Sequence, residues 1–302
     1  MALALESITR KIVKGELIEL AVDELVTNNA RTVRYVATDK NSVKRARTLL
    51  SKEPTTVPWI ETFKEGEVLV DIGANVGMYS VYAGARGVRV YSIEPESLNY
   101  AELNKNIFVN GLHHMVTAYC MAAGDAVDIS VLHLSGFGIA WAHHDFGENR
   151  WEADKKIGAI TFEREARPQQ GCVSFPLDEL VRRGAVAPPN HIKIDVDGFE
   201  WKVLKGAAET LRGPQLKTVL LEVDFAIPEN VALVDRMLEQ GWFYSKDQVR
   251  LNQHEIVTFE KFEDRKRRGK GGANYIFYKD RAHYDEFFRR FAESFVPPNP
   301  LK

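Results

Sequence analysis

Short apolar runs separated by segments of helical spacing organise the middle of the chain. Residues 78–85 and 97–110 carry apolar side chains at helical intervals, and each segment follows an apolar run. Short continuous apolar runs are typical of parallel strands that are buried on both faces. Strands that alternate with helices predict an α/β fold with helices on both faces of the sheet. The predicted strands of this sheet are residues 68–70, 88–93, 115–122, 190–194 and 218–223.

The helix predicted at residues 97–110 is amphipathic and stops at an Asn-Gly pair. Helical spacing places four of its apolar side chains on one face. We expect this face to lie against the sheet, and its members are Leu98, Ala101, Leu103 and Ile107.

Before the first predicted strand the pattern is different. Residues 16–22 and 31–38 alternate apolar and polar side chains, which predicts the two strands of a hairpin. One helix is predicted to end near residue 54, and a second, short helix is predicted at residues 57–63. We therefore expect residues 1–64 to form an N-terminal extension on a main domain of residues 65–285. The extension either covers a ligand and shapes the mouth of its site, or serves only in packing.

Residues 127–176 interrupt the alternation of strands and helices, and the segment returns to the sheet through a strand at residues 172–175. An insertion of this length in a compact domain is usually a lid or a binding loop, so we expect it to recognise a substrate. Its pair His143 and His144 is a weak metal candidate, because neighbouring side chains in an extended segment point in opposite directions.

The last third of the chain predicts a helix at residues 230–240 and an antiparallel hairpin at the sheet edge. The strands of that hairpin are residues 242–244 and 274–278. Between them, residues 265–270 contain five cations in six residues. Such a run is most often a solvated loop, and the alternative is a site for phosphate or an acidic carrier. Residues 286–302 are expected to form a C-terminal tail.

Composition limits the partners. The 302 residues carry a formal charge of −2, so the whole protein has no attraction for nucleic acid or an anionic membrane. Apolar runs are too short to cross a bilayer and no secretion signal opens the chain, which predicts a cytoplasmic protein. Cys120 and Cys172 are too few for a disulfide framework or a zinc site, and both are expected to be buried.

A glycine turn links the first predicted strand of the sheet to the helix at residues 78–85. Gly73 and Gly77 frame this turn, and Asn75 stands where a dinucleotide fingerprint has its middle glycine. Such a turn directs backbone N–H groups and the positive end of a helix at a ligand above the strand ends. Asp71 precedes the turn, and its carboxylate suits a cationic ligand better than a pyrophosphate.

Glu94 ends the next strand, at about the distance at which an acidic side chain binds ribose hydroxyls in related sheets. Together with Asp71 it suits a nucleoside that carries a positive charge, and S-adenosylmethionine fits this description. Asp125, on the turn after the third strand, either accepts a bond from an adenine amino group or stabilises the turn.

A second group of acids follows the later strands. Asp195 and Asp197 end the strand at residues 190–194, and Glu222 lies in the strand at residues 218–223. The carboxyl ends of parallel strands meet at one edge of the sheet, so these side chains are expected near Asp71 and Glu94. Clustered carboxylates repel each other, which indicates a catalytic task or a bound cation; the other role for either aspartate is to cap the following helix.

These motifs resemble the FkbM family of S-adenosylmethionine-dependent methyltransferases, over about residues 45–280. The resemblance lies in Lys-Glu-Pro-Thr-Thr-Val-Pro-Trp-Ile at residues 52–60, Asp-Ile-Gly-Ala-Asn-Val-Gly-Met-Tyr-Ser at 71–80, Ile-Glu-Pro-Glu at 93–96, Asn-Lys-Asn-Ile-Phe-Val-Asn at 104–110, Phe-Pro-Leu-Asp-Glu-Leu at 175–180 and Ile-Lys-Ile-Asp-Val-Asp-Gly-Phe-Glu at 192–200. It implies a class I methyltransferase fold, which is Rossmann-like, with seven strands in the order 3-2-1-4-5-7-6 and the seventh antiparallel.

The resemblance also implies roles for individual residues. The methionine part of the cofactor would be held by Asp71, Gly73, Asn75 and Gly77, and Tyr79 is a further cofactor-binding residue. Glu94 would bind the ribose, the segment from Ala123 to Asp125 the adenine edge, and Asp195 would lie beside the transferred methyl group. Members resemble O-methyltransferases that act on sugars, glycolipids and natural products, so the expected partner is a small-molecule or glycan acceptor, with a homodimer left open.

Methylation of a hydroxyl requires removal of its proton, and Asp195, Asp197 and Glu222 are the candidate general bases, followed by a histidine of the insertion. Alternatives from the residues are a Mg²⁺-assisted O-methyltransferase that uses the same three acids as ligands, and an N-methyltransferase. A dehydrogenase and a nucleotide-binding protein without catalysis are the further rivals. No metal is assigned to the site.

Overall fold

A computed structural model describes residues 10–12, 15–23, 30–150, 155–157, 160–162, 167–251 and 258–294. Its strands are β1 (Arg10–Ile12), β2 (Gly15–Asp23), β3 (Ala30–Ala37), β4 (Val68–Ile72), β5 (Arg89–Ile93), β6 (Val116–Tyr119), β7 (Ala122–Ala123), β8 (Asp128–His133), β9 (Asp145–Phe146), β10 (Lys155–Ile157), β11 (Ile160–Phe162), β12 (Gln169–Phe175), β13 (His191–Ile194), β14 (Thr218–Asp224) and β15 (Gly272–Tyr278). Its helices are α1 (Lys40–Arg47), α2 (Thr56–Glu61), α3 (Met78–Ala85), α4 (Ser97–Val109), α5 (Leu177–Arg182), α6 (Glu200–Lys205), α7 (Ala208–Arg212), α8 (Pro228–Glu239), α9 (Lys246–Leu251), α10 (Phe259–Arg267) and α11 (Arg281–Ser294).

The central sheet has the order β15-β14-β13-β4-β5-β6. Strands β4, β5, β6, β13 and β14 pair in parallel, and β15 pairs antiparallel with β14. Numbered along the sheet domain, this is 3-2-1-4-5-7, so the α/β class and the parallel arrangement predicted from the sequence are confirmed. The apolar runs predicted the strands well because both faces of the sheet are covered by helices.

The strand predicted at residues 242–244, which would be the sixth in that order, is not a full strand in the described part of the chain. That segment is reduced to one antiparallel bridge between Phe243 and Tyr278. The amide of Gln248, in α9, takes the place of a strand partner further along β15. Its Oε1 accepts from the backbone N–H of Ile276 at 3.0 Å, and its Nε2 donates to the carbonyl of Asn274 at 3.1 Å. A side chain therefore satisfies the edge of the sheet.

Two apolar cores lie on opposite faces of the sheet. One core contains side chains of β3, α2, α3, α4 and α11, and the other contains side chains of α5 to α10. The predicted hairpin of the N-terminal extension is confirmed as β2 and β3, which pair antiparallel. Tyr35, in β3, is buried and donates its hydroxyl proton to the carbonyl of Met78 at 2.7 Å. The extension thus contacts the start of α3, directly after the glycine turn.

The inward face predicted for α4 is only half correct. Leu103 and Ile107 are buried, but Leu98 is 37% exposed and Ala101 is exposed. Polar side chains replace them on the buried face, namely Asn99, Glu102 and Asn106. These side chains are buried because they satisfy backbone groups: the amide of Asn106, for example, accepts from Val36 N and donates to Val76 O.

Three strands of the insertion, β8, β9 and β12, form a four-stranded sheet together with β7, which precedes the insertion; the order is β7-β12-β8-β9. Strands β8 and β12 pair antiparallel over six residues, from His133 opposite Gln169 to Asp128 opposite Ser174. The predicted returning strand is therefore confirmed as the end of β12.

Two smaller predictions have different outcomes. Cys172 is buried as expected, but Cys120 is exposed, because it follows β6 at the edge of the central sheet. The basic run predicted as a loop at residues 265–270 begins inside α10, where Arg267 and Arg268 bind Asp264 at 2.8 and 3.0 Å. Among the helices that the structure describes, none combines the length and apolarity that a membrane span requires.

Candidate functional site

The turn after β4 approaches the end of β13 so closely that its first residue must be glycine. Gly73 has φ +79°, and a Cβ built on it would lie 1.8 Å from the carbonyl oxygen of Asp195. Asn75 and Gly77 also have positive φ, at 51° and 80°. Glycine adopts this conformation without steric cost, and asparagine tolerates it better than most residues. The sequence Gly-Ala-Asn-Val-Gly therefore builds a tight cradle of backbone against the second acidic segment.

A cavity of about 600 Å³ lies over the carboxyl ends of the central strands. A volume of this size is typical of small-molecule and cofactor sites. The predicted residues that line it are Gly73, Asn75, Glu94, Ala123, Asp125, Asp195, Asp197 and Glu222. Tyr79 lines a second, much smaller cavity of about 30 Å³, which shares Gly73, Asn75 and Asp195 with the first.

Asp71 and Gly77 are not among the described residues that line either cavity. Asp71 is 1% exposed, and its Oδ2 accepts from Ser80 Oγ at 2.6 Å. The ammonium of Lys193 lies 3.9 Å from its other oxygen. Burial raises the pKa of Asp71, and Lys193 opposes this shift. The structure thus places Asp71 beneath the turn, where it binds Ser80 and faces a buried cation.

Lys193 is the residue that allows several acids to lie at this edge. Its side chain is 2% exposed, and its Nζ lies 3.1 Å from Asp195 Oδ2. Burial favours the neutral form of Asp195, but the charges of Lys193 and Lys52 outweigh it and hold the pKa of Asp195 well below its ordinary value. Asp195 is therefore ionised at neutral pH.

Glu222 is in the opposite state. The negative charge of Asp195 and burial together raise the pKa of Glu222 well above its ordinary value. Hydrogen bonding with Asp195 adds to this rise in pKa, so Glu222 is the member of the pair that keeps its proton. Oxygens of Asp195, Asp197 and Glu222 lie within 4.8 Å of one another, which makes them a possible set of metal ligands among the described residues.

Glu94 lies on the cavity wall at the end of β5. Its two oxygens accept from the backbone N–H of Asn75 at 2.7 Å and of Glu96 at 3.0 Å. Burial raises its pKa to about 7, and the two backbone bonds oppose the shift. Asp125, by contrast, binds the ammonium of Lys205 at 2.7 Å, and this bond lowers its pKa.

The insertion is fastened to the glycine turn by two asparagine side chains. The carbonyl of Trp141 accepts from Asn75 Nδ2 at 2.8 Å and from Asn99 Nδ2 at 3.0 Å. Asn99 Oδ1 in turn accepts from the backbone N–H of Ala140 at 2.7 Å. Trp141 lines the larger cavity, so one wall of the site is contributed by the insertion and is held in place by the turn.

The adjacent histidines of the insertion both line the larger cavity. His143 binds Asp197 twice: its backbone N–H donates to Oδ2 at 2.6 Å, and its Nδ1 lies 3.1 Å from Oδ1. His144 Nδ1 accepts from the backbone N–H of Ser135 at 3.2 Å, and burial lowers the pKa of this imidazole. Asp197 therefore binds the insertion and also belongs to the edge of the sheet where Asp195, Asp197 and Glu222 lie, called the acidic edge below.

Several residues that line this cavity, or that bind the residues lining it, were not predicted from the sequence. Lys193 left a detectable signal, because a lysine between two isoleucines in a strand buried on both faces requires an acidic partner. Asn99 left none, since its partners lie about forty residues away in an irregular segment. Arg45 and Lys52, from the N-terminal extension, also line both cavities.

Two characterised proteins are similar to the chain. It is 25% identical over 203 residues to the hexuronic acid methyltransferase AglP of Haloferax volcanii, which covers 67% of this chain and 72% of that protein. It is also 25% identical over 191 residues to the 31-O-demethyl-FK506 methyltransferase FkbM of Streptomyces tacrolimicus, with coverage of 57% and 72%.

Solved structures share less with the chain. An rRNA methylase from Streptococcus thermophilus superposes with a TM-score of 0.42 at 9% sequence identity, over 76% of this chain and 95% of that one. A family match is far more specific: residues 71–248 match the methyltransferase FkbM domain, from the acid before the glycine turn to α9. The chain therefore belongs to the FkbM family of methyltransferases.

Proposed function

We propose that the protein transfers the methyl group of S-adenosylmethionine to a hydroxyl of a sugar, glycolipid or natural-product-like acceptor. The carrying observation is that the glycine cradle and the cluster of Asp195, Asp197 and Glu222 line one cavity. The two relatives, which act on a hexuronic acid and on 31-O-demethyl-FK506 by their names, support acceptors of this kind.

The residues of the cavity fit this cofactor. The cradle at Gly73 leaves no room for a Cβ, which is expected where a ligand and a second backbone segment share a turn. Glu94 would bind the ribose hydroxyls, with Gly73 and Asn75 holding the methionine part and the Ala123–Asp125 segment beside the adenine. When bound, the cofactor would supply an electrophilic methyl group bonded to its sulfonium sulfur.

The chain must orient the acceptor, exclude water and take up the hydroxyl proton. Asp195 and Glu222 are suited to the last task, because the pKa of Asp195 is lowered and that of Glu222 is raised at neighbouring positions of one cavity. Asp195 is the ionised member, so it is the base that an acceptor hydroxyl would meet first. Asp197, which holds His143, is the next candidate and would also position the insertion.

Isothermal titration with S-adenosylmethionine and, separately, with NAD⁺ tests the cofactor assignment in wild type and Glu94→Ala. We expect micromolar binding of the first ligand alone and a loss of at least about tenfold in the variant. Binding of NAD⁺ alone, or no effect of Glu94→Ala, would contradict the proposal. Glu65→Ala, at an exposed position on the loop before β4, is the matched control.

Methyl transfer from labelled cofactor to a panel of hexuronic acid glycosides and macrolides tests the reaction. Asp195→Asn and Glu222→Gln should each reduce turnover by about 10²–10⁴, and Glu222→Gln should change cofactor affinity little. Near wild-type turnover in both variants would exclude the pair as the base.

A Mg²⁺-assisted reaction is the second candidate, since three carboxylates lie within 4.8 Å of one another. Oxygen ligands of this kind suit Mg²⁺, but the ammonium of Lys193 already neutralises part of the cluster. Activity that persists in chelator would exclude the metal route, and activity restored by added Mg²⁺ would establish it.

A further inference from the structure

Two cations of the N-terminal extension reach the wall of the methyltransferase site. Arg45 lies in α1, and Lys52 lies in the segment between α1 and α2. Both line the cavity of about 600 Å³ and the adjoining cavity of about 30 Å³. Gly73 and Asp195 line the same two cavities, so the cations lie where the glycine cradle meets the acidic edge. Both cations precede residues 71–248, which match the family.

Arg45 has unused hydrogen-bonding capacity. Its side chain is half-buried, and among the described residues its guanidinium has no hydrogen-bond or ion-pair partner. A guanidinium presents five N–H donors in a planar fork that matches the two oxygens of a carboxylate. Burying part of this group beside a cavity without an acidic partner is unfavourable unless a ligand supplies one. The arrangement therefore points to an anionic ligand group.

Lys52 extends the positive region towards the acids. Its Nζ lies 3.0 Å from Glu53 Oε1, and its side chain is 32% exposed. The remaining donors of the ammonium are available at the cavity wall. Elsewhere the wall carries the carboxylates of Asp125, Glu148 and Asp197, and the ammonium of Lys202 there binds Glu148 at 2.6 Å. Arg45 and Lys52 therefore make their end of the site the part that attracts an anionic group.

The size of the adjoining cavity favours a carboxylate. At about 30 Å³ it has space for little more than one water molecule. A flat carboxylate would fit into a space of this size more readily than a tetrahedral phosphate with its three outer oxygens. A ligand that carries an ammonium next to the carboxylate would also find Glu53 and Asp195 nearby, since both line this smaller cavity.

We propose that Arg45 and Lys52 form a carboxylate-binding subsite of the methyltransferase site. This inference rests on the proposed function, because that function supplies the two sources of a carboxylate. One source is the amino-acid end of the cofactor, and the other is the acid group of a hexuronic acid acceptor. The position beside Gly73 favours the cofactor, whose methionine part is assigned to that turn. The N-terminal extension would then complete the site.

The test compares ligands with and without the carboxylate in Arg45→Met, Lys52→Met and a matched control, Arg47→Met. Arg47 lies on the same helix as Arg45 but is exposed and lines neither cavity. Each variant is titrated with S-adenosylhomocysteine and with 5′-methylthioadenosine, which lacks the amino-acid end. A third titration adds D-glucuronate to protein saturated with S-adenosylhomocysteine. Thermal unfolding confirms that each variant is folded.

If the subsite holds the cofactor carboxylate, Arg45→Met and Lys52→Met weaken S-adenosylhomocysteine by about 10–100-fold and 5′-methylthioadenosine by less than about twofold. If it holds the acceptor carboxylate, only glucuronate binding is lost. Unchanged affinity for both S-adenosylhomocysteine and glucuronate overturns the subsite while leaving the methyltransferase proposal intact. Failure of wild type to bind S-adenosylhomocysteine overturns both proposals, and equal loss in Arg47→Met overturns the assignment to these two residues.

Discussion

Replacing Lys193 by methionine tests the electrostatic account of the acidic edge. Methionine has a similar length and no charge, so the variant removes the ammonium while largely filling its space. Asp195, 3.1 Å away, and Asp71, 3.9 Å away, then lose their shared cation inside the protein. Asp71 and Lys193 are 1% and 2% exposed, so water cannot replace the lost charge.

Removing one partner of a buried ion pair typically costs about 3–5 kcal/mol, because the other charge is left without compensation. We expect a loss of this size at pH 7, where Asp195 is ionised. In the folded wild type the pKa of Asp195 lies below its ordinary value, so ionised Asp195 stabilises the fold above about pH 4. This stabilisation is lost only as pH falls through the pKa of the folded state. Without Lys193 the pKa of Asp195 rises, so the folded variant binds a proton more readily. The difference between variant and wild type should therefore shrink from pH 7 to pH 5.

Urea denaturation followed by circular dichroism at pH 7 and pH 5 measures this difference. Lys44→Met, an exposed substitution on α1, is the control and should cost less than about 0.5 kcal/mol. Adding Asp195→Asn to Lys193→Met should restore part of the lost stability at pH 7. A loss below about 1 kcal/mol, or one that is the same at both pH values, would refute the argument that Lys193 neutralises the buried acids.

Three further predictions follow from single contacts. Burial raises the pKa of Glu200 to about 7, so the carboxyl group binds its proton more tightly in the folded state than in the unfolded state. The free energy of unfolding should therefore fall by up to about 3 kcal/mol as pH rises from about 4.5 to 7. Glu200→Gln should remove this part of the slope in urea denaturation, and an unchanged slope would contradict the assignment. Gly66 has φ +80° with nothing within 4 Å of an added Cβ, so Gly66→Ala should cost only the backbone strain of about 1–2 kcal/mol. Gly73→Ala adds a clash with a carbonyl oxygen at 1.8 Å and should cost about 1–3 kcal/mol more, with loss of cofactor affinity; equal melting temperatures for the two variants would argue against the cradle. Asn99→Ala removes two hydrogen bonds to the insertion and should lower the free energy of unfolding by about 2 kcal/mol. It should also raise the acceptor KM more than the cofactor Kd. Asn104→Ala, on the exposed side of the same helix, is the control and should change neither KM nor Kd.

The parallel sheet was predictable because its strands are buried on both faces and therefore read as apolar runs. Helix α3 was predicted with the bounds that the structure shows, since the glycine turn marks its start. The meeting of Glu94, Asp195 and Glu222 at one cavity also followed from the sequence, because parallel strands bring their carboxyl ends to one edge.

Contacts between distant segments were not predictable from local patterns. Gln248 replaced a strand partner at β15, although its own sequence neighbourhood gives no sign of this. The inward polar face of α4 violated the amphipathic pattern because Asn99 and Asn106 bind backbone groups of segments far from them in sequence. Asp71 was expected at a ligand, but the structure supplies Lys193 as its nearby cation, 122 positions along the chain.

The β8–β12 ladder has a consequence for the exchange of segments between this protein and its relatives. Its six residue pairs bring the two ends of residues 134–168 side by side, so the segment between them begins and ends at one fixed place. Loops closed by such a ladder tolerate changes in length at little entropic cost. We expect segments from relatives to be exchangeable at this ladder as cassettes, provided that an acceptor for the Asn75 and Asn99 amides is retained at the position of Trp141. Under the proposed function, exchange of this one segment would change the acceptor, while the carboxyl ends of the central strands would stay the same.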